Sequence, residues 1–315
     1  MNATPISSTH GDILLLALIA GGILLALTVF SEVLRARMGA HPVVQTFTTR
    51  VESWWAMVIL FSLALLIGPL GIVLLVGFAA FAALREYTTY SHSDQADHLA
   101  LAIGFYLVLP AQFFFVYMDW PGLFTVFIPV YVFLLLPVVS VLRGRTTGFL
   151  ARVTKMQWGL MICVYALSHL PALMWLHVGG QEDRLVLLIA FLVVVVQSAD
   201  LVDFFLGRRF GRRRIVPGLS LRTWEGAVLS LLFAACLGLA LNWITPFSPL
   251  AAAGMAVVAS ATGACGALVL TAIKRDAGVK DWSHLIPGQG GFLDQLDSVI
   301  FAAPVFFHLT LLGWN

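Results

Sequence analysis

The residues with the clearest chemical potential lie between positions 274 and 298, where charge is concentrated. Only 11% of the 315 residues are charged, yet this stretch holds three cations and four carboxylates between two apolar runs. Cations and loop glycines together can hold phosphate oxygens, because glycine lets backbone amides approach an anion closely. The cations are Lys274, Arg275 and Lys280, Asp281 follows the last of them, and the glycines are Gly288, Gly290 and Gly291.

Two further carboxylates of this stretch, Asp294 and Asp297, are three residues apart. On a helix they share one face and can bind a hard cation such as Mg²⁺. Cations, acids and glycines together indicate a site for phosphoryl or nucleotidyl transfer that faces water at a membrane surface. The alternative is an ordinary charged loop between two helices, although such loops rarely combine this charge density with a Pro-Gly-x-Gly-Gly sequence.

A second polar segment lies between positions 200 and 226. Asp200 and Asp203 stand at the end of an apolar run, where a carboxylate usually faces a cavity, a metal or a cation. An arginine-rich loop follows, and behind it come four candidate contacts for a nucleotide or a lipid phosphate: Ser220, Arg222, Thr223 and Glu225. Two structural alternatives stay open: the carboxylates pair with nearby arginines as an anchor, or the arginine cluster only enforces membrane topology.

The composition predicts the fold class. Hydrophobic residues make up 60% of the chain and the mean hydropathy is +0.95, which is typical of polytopic membrane proteins. We expect an all-α fold with about ten transmembrane helices, some of them tilted or short, in a single membrane domain over residues 1–315. The apolar runs lie near 12–30, 54–70, 71–84, 98–118, 121–142, 156–178, 184–206, 226–245, 248–273 and 298–313. The first run lacks a basic flank and a cleavage site, so we expect an anchor helix rather than a signal peptide.

The basic residues predict the orientation. With ten spans, 17 of the 18 lysines and arginines fall on one face, in the segments 31–53, 85–97, 143–155, 207–225 and 274–297. The positive-inside rule makes that face cytoplasmic and leaves both termini outside. A basic cytoplasmic face suits anionic lipids and nucleotides, and the absence of any soluble basic domain argues against nucleic acid as a partner.

The two polar segments resemble motifs of the phosphatidate cytidylyltransferase (CDP-diacylglycerol synthase) family, and they place its motifs within residues 184–315. The C-terminal signature of that family matches at Thr271, Lys274, Arg275, Lys280, Asp281, Pro287, Gly288, Gly290, Gly291, Asp294 and Asp297. The preceding motif matches at Asp200, Gly207, Arg208, Phe210, Gly211, Arg212, Thr223, Trp224, Glu225 and Gly226, with Ser220 and Arg222 in related positions.

The resemblance implies a transferase that joins CTP to a phosphatidate-like lipid in the cell membrane, giving a CDP-lipid for phospholipid biosynthesis. It implies Mg²⁺ on Asp294 and Asp297, and it leaves a second cation and a homodimer open. Lys274, Arg275, Lys280 and Asp281 would act on the reacting phosphates. Asp200, Ser220, Arg222, Thr223, Glu225 and the glycines Gly288, Gly290 and Gly291 would bind nucleotide or lipid phosphate.

Three departures from the family pattern support a second hypothesis. Ala267 stands where the family commonly has a metal-binding Asp, Gln289 where it has His, and Gln295 where it has Arg. A methyl group cannot ligate a metal, so the alternative is a catalytically weakened or inactive relative that binds lipid or partners. A third hypothesis is a membrane transporter that uses Asp200 and Asp203, which the clustering of charge at one face disfavours.

Overall fold

The computed structural model describes residues 6–38, 42–90, 98–142, 146–176, 185–286 and 289–314. These residues form ten helices, here numbered along the chain. They are α1 (Ile6–Met38), α2 (Pro42–Ile67), α3 (Pro69–Tyr90), α4 (His98–Tyr117), α5 (Pro121–Val141), α6 (Phe149–Trp175), α7 (Leu185–Phe210), α8 (Trp224–Ala240), α9 (Pro249–Asp276) and α10 (Phe292–Trp314). Short π-helical segments interrupt α4, α5 and α6.

The expectation of an all-α polytopic membrane protein is confirmed. In the described part of the chain, nine helices are long and apolar enough to cross a bilayer. The tenth, α8, has 17 residues, and it packs between α7 and α9. Gly226 at one end of α8 lies against Gly207 of α7, and Gly238 near the other end lies against Ala252 of α9. The number of helices therefore agrees with the ten apolar runs.

Several helix boundaries differ from those expected. The break between the second and third helices falls at Gly68, which has φ of 93°, a left-handed conformation that glycine adopts without strain. Pro69 then begins α3, a position where its missing N–H costs little. Between α7 and α8, only residues 211–223 form the loop expected at 207–225, because α7 continues through Phe210. Helix α10 begins at Phe292 and includes both Asp294 and Asp297.

The helices differ in how deeply they are buried. Helix α6 is the most buried, and α1 is the least buried and packs against α2 at the rim of the bundle. Leu18 of α1 is 72% exposed, as expected of a side chain that faces lipid. Apolar side chains cover the outer faces of most helices, which leaves the polar residues to the helix ends and the interior.

Five helix ends meet at one end of the bundle. Ser283, in the segment between α9 and α10, donates to Glu86 near the end of α3. Gln289, in the same segment, donates to the backbone carbonyl of Arg50 near the start of α2. The last turns of α7 join the cluster through Arg50, which lies over the ring of Phe204. The described residues of this segment, 277–286 and 289–291, thus lie among elements from both halves of the chain.

Candidate active site

Arg222 forms the centre of the first polar segment. Its Nη1 donates to Asp203 Oδ2 at 2.8 Å and its Nη2 donates to Asp200 Oδ1 at 2.5 Å. The two carboxylates lie one turn apart on α7, so a single guanidinium reaches both. Burial alone would lower the pKa of Arg222, but the two carboxylates raise it by more, so the group remains cationic. The pairing of the carboxylates with an arginine is therefore observed, and the partner is Arg222.

The loop before α8 is built to hold Arg222 in place. Ser220 Oγ accepts the N–H of Arg222 at 3.2 Å. Thr223 is the N-cap of α8, and its Oγ1 accepts the N–H of Gly226. The Glu225 carboxylate accepts the backbone N–H groups of Arg212 and Arg213 at 3.0 to 3.3 Å. Ser220, Thr223 and Glu225 were expected to bind nucleotide, and their observed contacts fix the loop.

Glycines allow this loop to pack closely against α7. A Cβ atom at Gly226 would lie 2.6 Å from Asp203 Oδ1 and 2.8 Å from the Cα of Gly207. A Cβ at Gly211 would collide with Thr223. Any larger residue would push the loop away from the Asp200–Asp203 face. The glycines of this motif thus set the distance between Arg222 and its carboxylates.

Asp294 is the centre of the second polar segment. Its Oδ1 accepts Lys274 Nζ at 2.7 Å, and this pair is largely buried, with side-chain exposures of 14% and 8%. Its Oδ2 accepts the backbone N–H groups of Trp282 and Gly291, each at 2.9 Å. One carboxylate therefore ties the end of α9, the loop and the start of α10 together. Protein donors occupy both of its oxygens.

Glu86 is a residue of this site that the sequence reasoning missed. Its carboxylate is 4% exposed and accepts Ser283 Oγ at 2.6 Å, the N–H of Phe292 at 3.0 Å and the N–H of Leu293 at 2.8 Å. Although Glu86 belongs to α3, its carboxylate lies against the first turn of α10. The backbone N–H groups of that turn have no acceptor within their own helix, and Glu86 supplies one. The sequence placed Glu86 in the polar segment 85–97, just after the apolar run 71–84, whereas α3 continues through Tyr90 and buries it.

The two polar segments meet. Asp297, one turn beyond Asp294, lies within electrostatic range of Asp200, Arg222 and Lys274. Gln197 of α7, one turn before Asp200, donates to the backbone carbonyl of Gln295 at 2.6 Å. Residues nearly 100 positions apart in the sequence thus form one polar cluster at the end of the bundle. A shared site requires this arrangement.

The other expected residues of the second segment lie around this cluster. Arg275 and Lys280 are exposed, and neither has an ion pair among the described residues. Half-buried Asp281 likewise has no ion pair within the described ranges. Gly290 has φ of 92°, and a Cβ there would lie 2.6 Å from Asp294 Oδ2. Pro287 and Gly288 lie outside the described residues.

The three departures from the family pattern occupy defined positions. Gln289 donates to the carbonyl of Arg50 at 3.2 Å, and Gln295 donates to the backbone carbonyl of Gln289 at 3.3 Å. The two glutamines therefore link the loop to α2 and α10 by neutral hydrogen bonds. Ala267 is 2% exposed, and its carbonyl accepts the Thr271 hydroxyl at 2.6 Å. It contributes no oxygen ligand from its side chain.

The carboxylate oxygens of the cluster differ in their availability to a cation. Asp297 uses Oδ1 for the N–H and hydroxyl of Ser298. Buried Asp203 Oδ1 has no hydrogen-bond partner within the described ranges. Among those same residues, no three acidic, histidine or cysteine side chains are close enough to hold an ion by themselves. Mg²⁺ is commonly held by one or two carboxylates together with substrate phosphates and water, and this donor set fits that mode.

The fold and the cluster define a class: a polytopic membrane protein with paired acids and cations at one end of its helical bundle. The chain belongs to the cytidylyltransferase family, whose family model matches residues 48–312. This match reaches far beyond the two polar segments and includes the helices that carry Arg50 and Glu86.

Individual relatives agree with this assignment. The chain is 36% identical to the uncharacterized protein YnbB of Escherichia coli (strain K12) over 266 residues, which cover 83% of this chain and 86% of that protein. It is 35% identical to a phosphatidate cytidylyltransferase of Haemophilus influenzae over 133 residues, 38% of this chain and 44% of that enzyme. A Bacillus subtilis phosphatidate cytidylyltransferase is 33% identical over 129 residues, 39% of this chain and 47% of that enzyme. The similarity to the named enzymes thus spans less than half of their length.

Proposed function

We propose that this protein is a CTP-dependent cytidylyltransferase that acts on a lipid phosphate in the membrane and releases pyrophosphate. The observation that carries the proposal is the meeting of the Arg222–Asp200–Asp203 group with the Lys274–Asp294–Asp297 group at one end of a membrane bundle. Membership of the cytidylyltransferase family supports CTP as the nucleotide. The relatives named phosphatidate cytidylyltransferase support phosphatidate as the lipid.

In this reaction, an oxygen of the lipid phosphate attacks the α-phosphorus of CTP. The bond from that phosphorus to the bridging oxygen breaks, and pyrophosphate leaves with the electron pair. Such transfers depend mostly on alignment and on neutralising the phosphate charges. Arg275 and Lys280 are exposed, and in this proposal they neutralise the β- and γ-phosphates, with Asp281 next to Lys280 in the sequence. Gly290 and Gly291 belong to the same loop, where their own N–H groups donate to Ile286 and Asp294.

The ion pairs of the cluster fix the positions of its acidic and basic side chains. Lys274 holds Asp294, and through it the loop that would approach the triphosphate. Arg222 holds Asp200 and Asp203 and leaves Asp203 Oδ1 without a hydrogen-bond partner in the described structure. Asp297 and Asp294 are the carboxylates that would hold Mg²⁺, and Asp297 is the more available because protein donors occupy both oxygens of Asp294. When bound, Mg²⁺ would neutralise phosphate oxygens.

The direct test is to incubate the purified protein with labelled CTP, Mg²⁺ and phosphatidic acid and to measure labelled CDP-lipid and pyrophosphate. We expect turnover by the native protein and its loss in Asp297→Asn. The matched control is Glu32→Gln, which removes an exposed carboxylate at the rim that pairs only with Arg35 in the described structure. Absence of product with any phosphate monoester lipid would contradict the proposal.

One set of observations favours a second candidate function. In this alternative, the protein binds CTP or a lipid phosphate but does not catalyse formation of a CDP-lipid. Ala267 offers no ligand oxygen, and Asp294 is fully engaged by protein donors. Both features reduce the negative charge available to a divalent cation. In that case the purified protein would bind CTP or phosphatidic acid measurably while producing no CDP-lipid. A transporter has no comparable support, because the acids are paired at one end of the bundle.

A further inference from the structure

The segment from the last turns of α7 to the start of α8 has a large excess of positive charge. Residues 204–224 contain six arginines and no acidic residue. Arg222 is paired with Asp200 and Asp203. The other five arginines are exposed, and in the described part of the chain none of them forms an ion pair with a carboxylate. They are Arg208, Arg209, Arg212, Arg213 and Arg214.

The backbone holds these five charges within one short stretch, residues 208–214. Arg208 and Arg209 stand in the last turn of α7. The other three arginines begin a short hairpin, since Arg214 forms an antiparallel bridge with Thr223. Like charges this close together repel one another unless counter-charge is present.

The protein itself compensates little of this charge. The guanidinium carbon of Arg208 lies 4.0 Å from the ring centre of Phe204, a contact that offsets only part of one charge. Glu225 interacts electrostatically with Arg213, but its carboxylate oxygens accept the backbone N–H groups of Arg212 and Arg213. One acid therefore faces several cations, and the stretch keeps a net positive charge that can bind an external anion.

Exposed apolar side chains lie among and beside the arginines, and they indicate the kind of anion. Phe205, Phe210, Leu221 and Trp224 are between 52% and 61% exposed. A soluble polyanion offers these side chains no apolar contact, whereas the interfacial layer of a bilayer accepts aromatic and aliphatic groups beside cations. Because the stretch directly follows membrane-spanning α7, we expect it at the level of the lipid head groups. Basic clusters in that position are typical of sites for anionic lipids.

We propose that residues 208–214 form a docking surface for the anionic phospholipids of the surrounding bilayer. Phosphodiester head groups would lie between the arginines, with the exposed rings of Phe205 and Phe210 at the level of the glycerol groups. These lipids are constituents of the membrane and not substrates of the proposed reaction. The inference therefore goes beyond the proposed function and does not depend on turnover.

The docking surface is connected to the polar cluster through the hairpin. The N–H of Ile215 donates to the carbonyl of Arg222 at 3.1 Å, and the N–H of Trp224 donates to the carbonyl of Arg213 at 3.0 Å. The segment that carries the arginines thus holds the backbone of Arg222. Lipid bound to the docking surface should steady the hairpin, and with it the guanidinium of Arg222. The charge of the bilayer would then act on the cluster from outside it.

Lipid retention tests the docking surface without CTP. The protein is placed in nanodiscs that contain equal amounts of phosphatidylglycerol and phosphatidylcholine and is then released in mild detergent. Native mass spectrometry counts the lipids that remain bound, and the native protein should retain phosphatidylglycerol preferentially. The variant combines Arg209→Gln, Arg213→Gln and Arg214→Gln, because these three arginines lie outside the motif shared with the family. One basic residue at an anionic surface gives roughly a fivefold preference, so the variant should lower the retained ratio by at least about fivefold.

The matched control removes three exposed basic residues elsewhere at the same end of the bundle. It combines Arg35→Gln and Arg37→Gln, at the end of α1, with Lys155→Gln, near the start of α6. The control loses the same charge and should keep the preference for phosphatidylglycerol. Equal loss in the control, or an unchanged preference in the variant of the docking surface, would overturn the inference.

Amide hydrogen exchange of residues 212–224 tests the connection to Arg222. In the native protein this segment should exchange about fivefold more slowly in nanodiscs with phosphatidylglycerol than in pure phosphatidylcholine, whereas the variant should exchange equally in both. Exchange in the native protein that does not depend on phosphatidylglycerol would overturn the connection. Inorganic phosphate added to pure phosphatidylcholine nanodiscs should not reproduce the protection. Full protection by phosphate would show that the arginines bind a soluble anion and would overturn the docking surface. Both measurements omit CTP, so their outcome is separate from that of the assay for CDP-lipid formation.

Discussion

Glu86 is the residue whose removal tests the architecture of the site most directly. In Glu86→Ala, the N–H groups of Phe292 and Leu293 and the hydroxyl of Ser283 lose their common acceptor. The hydroxyl can rotate toward water, but the two helix N–H groups are fixed. Leaving a buried donor unsatisfied costs about 1–3 kcal/mol, so the two together cost about 2–6 kcal/mol. Glu86→Gln keeps one acceptor oxygen and should cost less than Glu86→Ala, although its NH2 group replaces the oxygen that accepts the N–H of Phe292 or of Leu293.

This cost should appear as local opening rather than as global unfolding, because the contacts join one loop and one helix start to α3. A loss of 2 kcal/mol corresponds to a roughly thirtyfold higher population of the open state. Amide hydrogen exchange of the native and variant proteins in the same detergent measures this population. We expect faster exchange in residues 281–295, with little change in α6, which is the most buried helix.

Glu52→Ala is the matched control, since Glu52 is an exposed acid on α2. It should leave exchange in the loop unchanged. The reasoning would be wrong if Glu86→Ala exchanged like the native protein in residues 281–295, or if protection were lost evenly across all helices. The first result would show that the hydrogen bonds to Glu86 contribute nothing to loop order. The second would show that Glu86 stabilises the whole bundle.

Three further predictions address the chemistry and the topology. Arg222→Lys replaces a fork that reaches both Asp200 and Asp203 with a single ammonium, so CDP-lipid formation should fall at least about tenfold; an unchanged rate would show that the bidentate pairing is dispensable. Ala267→Asp adds a carboxylate and should increase both activity and Mg²⁺ affinity, measured as rate against Mg²⁺ concentration; a lower rate would mean that another residue already supplies the ligand. The topology is tested by single cysteines in a protein that lacks Cys163, Cys236 and Cys265. An impermeant thiol reagent should label Met118→Cys from outside intact cells and Pro217→Cys only after permeabilisation. The reverse pattern would refute a cytoplasmic site.

The sequence was most informative about the residues that carry net charge in an apolar chain. Lys274, Asp294 and Asp297 stood out because a charge near the membrane needs a partner, and helical spacing placed the acids on one face. The basic residues placed both polar segments on one face of the membrane, and the structure links them through the hydrogen bond from Gln197 to Gln295 and the electrostatic interaction between Asp297 and Arg222. The apolar runs likewise predicted the helices, with errors mainly at their ends.

What could not be predicted depends on contacts between distant parts of the chain. Ser220 and Glu225 accept backbone N–H groups of the loop before α8, and the sequence did not predict these contacts. Such local bonds depend on the path of the loop, which the spacing of residues does not determine. Glu86 was missed because its donors are about 200 positions away in the sequence. An acid inside an apolar helix predicts that a partner exists but does not identify it.

The attachment of the loop to Glu86 has a consequence for how this protein can be divided. Residues 184–315 contain the recognisable motifs, but the loop that carries them is held by a carboxylate of α3 and by a carbonyl of α2. A fragment beginning at residue 184 would therefore carry every motif and still lack the supports that shape the loop. Co-expression with a second fragment containing α2 and α3 should restore the native loop, so the two fragments behave as complementary parts of one active site.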